Sequence, residues 1–263
     1  MTKITSLQNT KIKDAIKLRD RRDRDETGLF LIEGYRELKR AVDAGWKMDT
    51  LFYCSEWFLG ENEEALIDRA GGIVQECSRE VFAKLSYRDR PDGILAIAPQ
   101  VHRSLKDLHL SSQPFLLIAE SIEKPGNLGT ILRSCDAAGV DAVIVCDPTT
   151  DIYNPNVVRS SVGTLFTLPV IEAASVDAID FLKYHKIAIA AATPRGDRVY
   201  TQANFKGPVA IAMGTEQYGL SDLWMNQAGL QVRIPMLGVA DSLNVASATT
   251  LLLYEVVRQR TAS

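Results

Sequence analysis

Five polar residues of this chain, Asn127, Arg133, Glu216, Ser242 and Asn244, sit where chemistry is more plausible than packing. Asn127 and Arg133 follow the apolar run FLLIAE in the segment Ser121 to Arg133, a Gly/Asn turn that opens a helix with Arg133 expected on its first or second turn. Backbone N–H groups at such a start favour an anion, and an arginine adds a forked, permanently charged donor, so this segment suits phosphate. A capping Asn127 followed by an exposed arginine has the same signature. Glu216 stands between Gly214 and Gly219 after the run VAIAM, where glycines let backbone close on a ligand. Ser242 and Asn244 flank Leu243 just before the last helix, expected over residues 246–260, and capping explains only one of the two. Open parallel sheets bind ligands beyond the carboxyl ends of their strands, and all three segments are expected there.

Other chemistries lack their residues. No G-x-G-x-x-G follows a strand and no G-x-x-x-x-G-K-[ST] occurs, which removes dinucleotide and P-loop readings. His102, His109 and His185 lie away from the three segments, so neither a histidine triad nor a metal site is expected. Cys54, Cys77, Cys135 and Cys146 form no C-x-x-C pair and read as buried thiols.

The elements that must position these residues follow from periodicity. With 46% hydrophobic and 24% charged residues over 263 positions, the chain has apolar surface enough for two folded domains. Residues 1–98 alternate short strands and helices and read as a small α/β domain. Residues 99–113, rich in serine with two prolines adjoining, read as a linker, and 114–263 as a second domain. There the runs FLLIA, AVIVC, IAIAA and VAIAM are continuous rather than alternating, as in parallel strands covered on both faces. No apolar span or leader is visible, so a cytoplasmic protein without membrane contact is expected.

Charge is unevenly placed. Residues 1–40 carry 11 Lys and Arg against 7 Asp and Glu, whereas the remainder carries 19 against 26. Lys11, Arg19, Arg21, Arg22 and Arg24 gather where Ile12, Ile16 and Leu18 could form the apolar face of a short helix. Such a helix would offer a cationic side to nucleic acid, or be a solvated helix laced with i,i+4 pairs through the interspersed aspartates.

Taken together, the three segments resemble the signature motifs of the SpoU (TrmH) family of RNA ribose 2′-O-methyltransferases. Asn127, Gly129 and Arg133 match N-x-G-x-x-x-R; Gly214, Glu216, Gly219, Leu220 and Ser221 match G-x-E-x-x-G-L-S. Ile234, Pro235, Met236, Gly238, Ser242, Leu243, Asn244 and Val245 match the third and most specific motif. The stretch from Asn154 to Gly163, with Arg159, is similar to the family's middle segment. The likeness covers about 114–260, and residues 1–98 are similar, more loosely, to an RNA-binding extension related to ribosomal proteins that bind RNA kinks.

The resemblance implies a parallel α/β catalytic domain with a deep trefoil knot, an exception to the unknotted rule. It implies S-adenosyl-L-methionine held near Thr193, Met213, Gly214, Ile234, Met236 and Leu243. Arg133 would fix the target phosphate and ribose, and Asn127 would orient Arg133 or the RNA backbone. Glu216 would fix Asn127 or another loop side chain, with Ser242 and Asn244 walling the site. Lys11, Arg19, Arg21, Arg22, Arg24 and Arg159 would face RNA, and a homodimer would complete the site, without a metal. The expected substrate is structured RNA, large-subunit 23S ribosomal RNA ahead of transfer RNA. A non-catalytic RNA-binding assembly factor is the other alternative, and the target nucleotide is not legible.

Overall fold

Four short apolar strands at the front of the chain pair into one sheet: β1 (Leu29–Glu33), β2 (Thr50–Tyr53), β3 (Ile73–Glu76) and β4 (Ile94–Pro99). Their order is β1-β4-β2-β3, antiparallel except for the parallel β2–β3 pair. The computed structural model describes residues 3–261. Its contacts divide the chain into two units: residues up to Val101 with Asp151–Thr167, and His102–Thr150 with residues from Leu168 onward.

The helices of the first unit are α1 (Thr10–Lys17), α2 (Arg21–Thr27), α3 (Tyr35–Asp43), α4 (Glu63–Ala70) and α5 (Arg79–Leu85). Side chains alternate across a strand, so each sheet face needs its own cover. On one face Leu31, Phe52, Leu95 and Ile97 meet Ile12, Ala15 and Leu18 from the α1 region and Val81, Phe82 and Leu85 of α5. The expected apolar face of the basic segment therefore forms. The segment is nevertheless two helices, because the chain breaks at Leu18–Asp20 and restarts at Arg21.

The other face is covered by a segment that the expected boundaries assigned to the second domain. Residues 151–167 contain a short helix α7 (Pro155–Ser160), which lies against β1. Phe30 packs on Tyr153 with ring centroids 4.5 Å apart, and Trp46 on Phe166 at 5.1 Å. Hydrogen bonds fasten the segment: Arg40 Nη1 donates to the Val162 carbonyl at 2.6 Å, and Trp46 Nε1 to that of Phe166 at 3.3 Å. Val162 has φ +47°, a left-handed conformation that a β-branched residue adopts only when its surroundings compel it. The physical reason for the reassignment is that Phe30 and Trp46 would otherwise face water.

The second unit contains β5 (Phe115–Glu120), α6 (Pro125–Ala138), β6 (Ala142–Cys146), β7 (Val170–Ala173) and α8 (Ser175–Tyr184). It continues with β8 (Ala188–Ala192), β9 (Arg198–Val199), β10 (Val209–Met213), α9 (Asp222–Gln227), β11 (Leu230–Arg233) and α10 (Val245–Thr261). The seven strands are all parallel, in the order β7-β6-β5-β10-β8-β11-β9. Leu116, Ile118, Ile144, Ala210 and Ala212 face a core closed by Ile179, Leu182 and Trp224, whose Nε1 donates to Ser175 Oγ at 2.9 Å. The expected linker is fixed to this unit: Leu105, Leu108 and Leu110 lean on the same core, and Ser111 Oγ donates to Asp141 at 3.0 Å. Among the described residues no helix is long and apolar enough to cross a membrane.

One topological fact positions the site. From β5 the chain works outward through β6 and β7, and β10 returns to pair with β5 on its other side. The boundary between β5 and β10 is the switch point, beyond whose strand ends sheets of this kind bind their ligands.

Candidate active site

The two loops at that switch point carry Asn127 and Glu216. Helix α6 begins earlier than its sequence suggests, at Pro125 after Lys124, because proline with its fixed φ suits the first helical position. Asn127 is consequently inside the first turn rather than capping it, and Arg133 falls about two turns from the helix start rather than on the first or second turn. Asn127 Nδ2 donates to Glu216 Oε1, and its Oδ1 accepts from Asn244 Nδ2 at 3.1 Å. Asn244 also caps α10, accepting from Ala246 N–H at 3.0 Å and Ser247 N–H at 3.4 Å through Oδ1. One hydrogen-bonded row thus joins all three motif segments. Ser242 is exposed beside it.

The Glu216 loop is closed tightly. Thr215 and Gly219 exchange backbone hydrogen bonds at 3.0 and 3.1 Å, and Gly219 has φ +73°. A Cβ on Gly214 would sit 2.2 Å from the Gly219 carbonyl carbon, so no other residue fits there. Glu216 Oε2 is buried and has no hydrogen-bond partner among the described residues. The row therefore ends on an acceptor with unused capacity.

Glu120 is a residue that the motifs did not reveal. It is buried at the end of β5, and its Oε2 accepts from Ser221 N–H at 2.8 Å, tying the start of α9 to the neighbouring strand. The signal for it was a lone carboxylate closing the otherwise apolar run FLLIAE. Helices α6 and α10 pack together, with Ser134 Oγ and Thr250 Oγ1 2.7 Å apart.

Arg133 is exposed and makes no hydrogen bond or ion pair with the described residues. It stands six positions after Asn127, about 120° around the helix, and both ends of the Asn127 amide are occupied. Within one chain Asn127 therefore fastens loops and makes no contact with Arg133.

Thr193, Met213 and Ile234 leave the carboxyl ends of β8, β10 and β11, three adjacent strands. Thr193 N–H donates to the Val232 carbonyl at 2.9 Å, Met213 and Gly214 are buried, and Met236 is half-buried. In the loop that follows, Leu237 and Val239 are fully exposed and Leu243 is 39% exposed, an apolar rim that water does not favour.

The basic segment behaves differently from its expected role. Arg24 is 1% exposed and pairs with Asp151 Oδ2 at 2.6 Å, while its Nη1 donates to the Leu18 and Arg19 carbonyls at 2.9 and 2.7 Å. The expectation that Arg24 faces RNA is corrected: the guanidinium is a buried tie between α2 and residue 151. Arg19 donates to the carbonyls of Lys84, Leu85 and Ser86 at 2.8–3.0 Å, closing the end of α5. Arg21 pairs with Asp25, and Lys11 reaches Gln75 Oε1 at 3.2 Å. Arg22 and Arg159 are exposed and without a bond to the described residues.

The four cysteines are free and buried. Burial pushes the Cys77 thiol up to about 12 and raises those of Cys135 and Cys146 as well, so none is a thiolate nucleophile near neutrality.

Known proteins share this arrangement. A crystal structure of an RNA 2′-O ribose methyltransferase superposes with a TM-score of 0.89 at 42% identity, covering 99% of this chain and 100% of the other. An AdoMet-bound rRNA methyltransferase from Sinorhizobium meliloti gives 0.90 at 34% identity, over 98% of this chain and 97% of its own. The 23S rRNA (uridine(2479)-2′-O)-methyltransferase of Streptomyces viridochromogenes is 31% identical over 92% of this chain and 87% of its own length. The class that the fold and site define is that of the two-unit RNA methyltransferases. The SpoU rRNA Methylase family matches residues 114–254, the MRM3-like substrate binding domain matches 9–96, and the chain belongs to the SpoU rRNA Methylase family.

Proposed function

We propose that this protein transfers a methyl group from S-adenosyl-L-methionine to a ribose 2′-hydroxyl of large-subunit ribosomal RNA. The observation that carries the reading is the Asn127–Glu216–Asn244 row, which gathers the three motif segments at the switch point of the parallel sheet. The residues present fit the cofactor. Gly214 admits no Cβ because the Gly219 backbone closes on it, which fixes the loop, and Met213, Ile234, Met236 and Leu243 offer the apolar edges that a neutral adenine needs. Thr193 stands on the adjacent strand end. The cofactor supplies an electrophilic sulfonium methyl.

The chain's own work is to place and polarise the hydroxyl. Arg133 has all five donors free, so it grips phosphate and ribose oxygens and stabilises the negative charge that develops on the 2′-oxygen. Asn127, Glu216 and Asn244 hold the loops that Arg133 must face. Because Arg133 leaves its helix well away from that row, its partner site is on a second copy, which makes the working form a homodimer. The packed α6–α10 pair, with Leu251 and Tyr254 of α10 left 41% and 47% exposed, supplies the contact surface. The chain from β11 into α10 forms the trefoil knot of the family, and the protein works in the cytoplasm.

The test is transfer of labelled methyl from S-adenosyl-L-methionine to RNA from cells lacking the protein, with ribosomal and transfer RNA separated afterwards. Label in large-subunit RNA, recovered in alkali-resistant dinucleotides, is the expected result. Label in transfer RNA alone overturns the substrate, and none in either, including assembly intermediates, overturns the activity.

A further inference from the structure

The first unit displays an aromatic ring beside an uncommitted cation. Tyr87 lies in the loop after α5 and is 38% exposed. Its N–H donates to Glu33 Oε2 at 2.7 Å, and the adjacent Ser86 hydroxyl donates to the other oxygen of Glu33, so the loop holds the ring at a fixed place. The Arg19 guanidinium lies 5.7 Å from the ring centroid. Asn156 Nδ2, on α7, donates to the phenolic oxygen at 3.1 Å. One turn further along α7 is Arg159, exposed and unbonded, and Tyr87, Arg88 and Arg159 line one small hollow.

Packing alone does not account for the pair, since the ring is partly exposed and Arg159 has no intramolecular use. Unpaired bases stack on aromatic side chains and their phosphates pair with guanidinium groups, whereas a duplex hides its base faces. We propose that Tyr87 and Arg159 form a docking point for one unpaired nucleotide of the RNA substrate, with its base on the ring and its phosphate at Arg159. The Glu33 contacts fix the loop, and the Asn156 bond only satisfies the phenol. The inference rests on the reading of the chain as an RNA methyltransferase and adds where, and in what state, the RNA is held.

The experiment measures binding of a short fluorescein-labelled oligouridine strand, and of an RNA duplex of equal length, to the full chain across a range of salt. The strand should bind more tightly than the duplex. Tyr87→Ala should weaken strand binding about tenfold. Tyr87→Phe should leave it unchanged, because the ring is kept and only the Asn156 bond is lost. Arg159→Gln should lower the slope of log K against log salt by about 0.7. Equal affinity of Tyr87→Ala and the unaltered protein overturns the proposal, as does a Tyr87→Phe as weak as Tyr87→Ala, or equal binding of the duplex. Should Tyr87→Ala unfold, Tyr87→Phe and Arg159→Gln still decide. Methyl transfer by the unaltered protein separates the two failures. Turnover with variants that bind like the parent overturns the docking point alone; no turnover overturns the parent reading and the substrate role of this point with it.

Discussion

The arginines between residues 19 and 24 and the isolated Arg133 and Arg159 invert the expectation drawn from charge density. In the dense segment, Arg24 is buried on Asp151, Arg19 is spent on three carbonyls and Arg21 pairs with Asp25, which leaves Arg22 alone unbonded among the described residues there. Where arginines stand alone in sequence, at 133 and 159, nothing in the described chain engages them. A guanidinium carries five donors, so any that lies near unsatisfied carbonyls is drawn into the fold. Charge available to a polyanion is what remains after the protein has satisfied itself.

The largest effect expected from that contrast is in Asp151→Asn. It leaves the Arg24 charge buried without its partner and should cost about 3–5 kcal/mol in urea unfolding. Unchanged stability would show that Arg24 reaches solvent. Arg133→Lys should leave stability within about 0.5 kcal/mol and cofactor affinity intact. It should lower methyl transfer by a factor on the order of 100 or more, since the forked donor is gone. Retained turnover would place Arg133 with the inert surface charges. Arg19→Ala should destabilise by roughly 1–3 kcal/mol through the carbonyls it abandons. A neutral result would return Arg19 to the free class.

The smallest effect concerns Glu33, whose carboxyl burial holds above the usual 4.5 despite help from Ser86, Tyr87 and Arg88. A carboxylate shifted upward binds its proton more tightly in the folded chain. Its contribution is complete below pH 4.5 and lost as pH rises through the raised value. Denaturation curves at acid and neutral pH should therefore show a loss in the parent that Glu33→Gln lacks. A parallel pH dependence in both would remove Glu33 as its source.

Most of the elements are legible in the sequence. Strands β6 and β10 coincide with the apolar runs AVIVC and VAIAM, and residues 1–98 do alternate short strands and helices. Continuous apolar strands do imply cover on both faces, and the parallel sheet has it. Three features were not legible, for one shared reason. Arg24 finds its partner 127 residues away, Phe30 its cover at Tyr153, and Asn127 its acceptor at Glu216, 89 residues on, a pairing that only the family resemblance offered. Local pattern shows that a side chain has unmet needs but not which distant group meets them. The alternative in which Asn127 caps the helix does not hold, because the helix starts upstream at Pro125, a boundary that spacing alone does not fix.

The loan of residues 151–167 to the first sheet also orders events during synthesis. A ribosome has made all of β5, α6 and β6 before it delivers Tyr153 and Phe166, the rings that Phe30 and Trp46 await. The earliest strands must therefore stay half-clothed while the next domain is begun, and a fragment cut at the apparent boundary would keep that bare aromatic face for good.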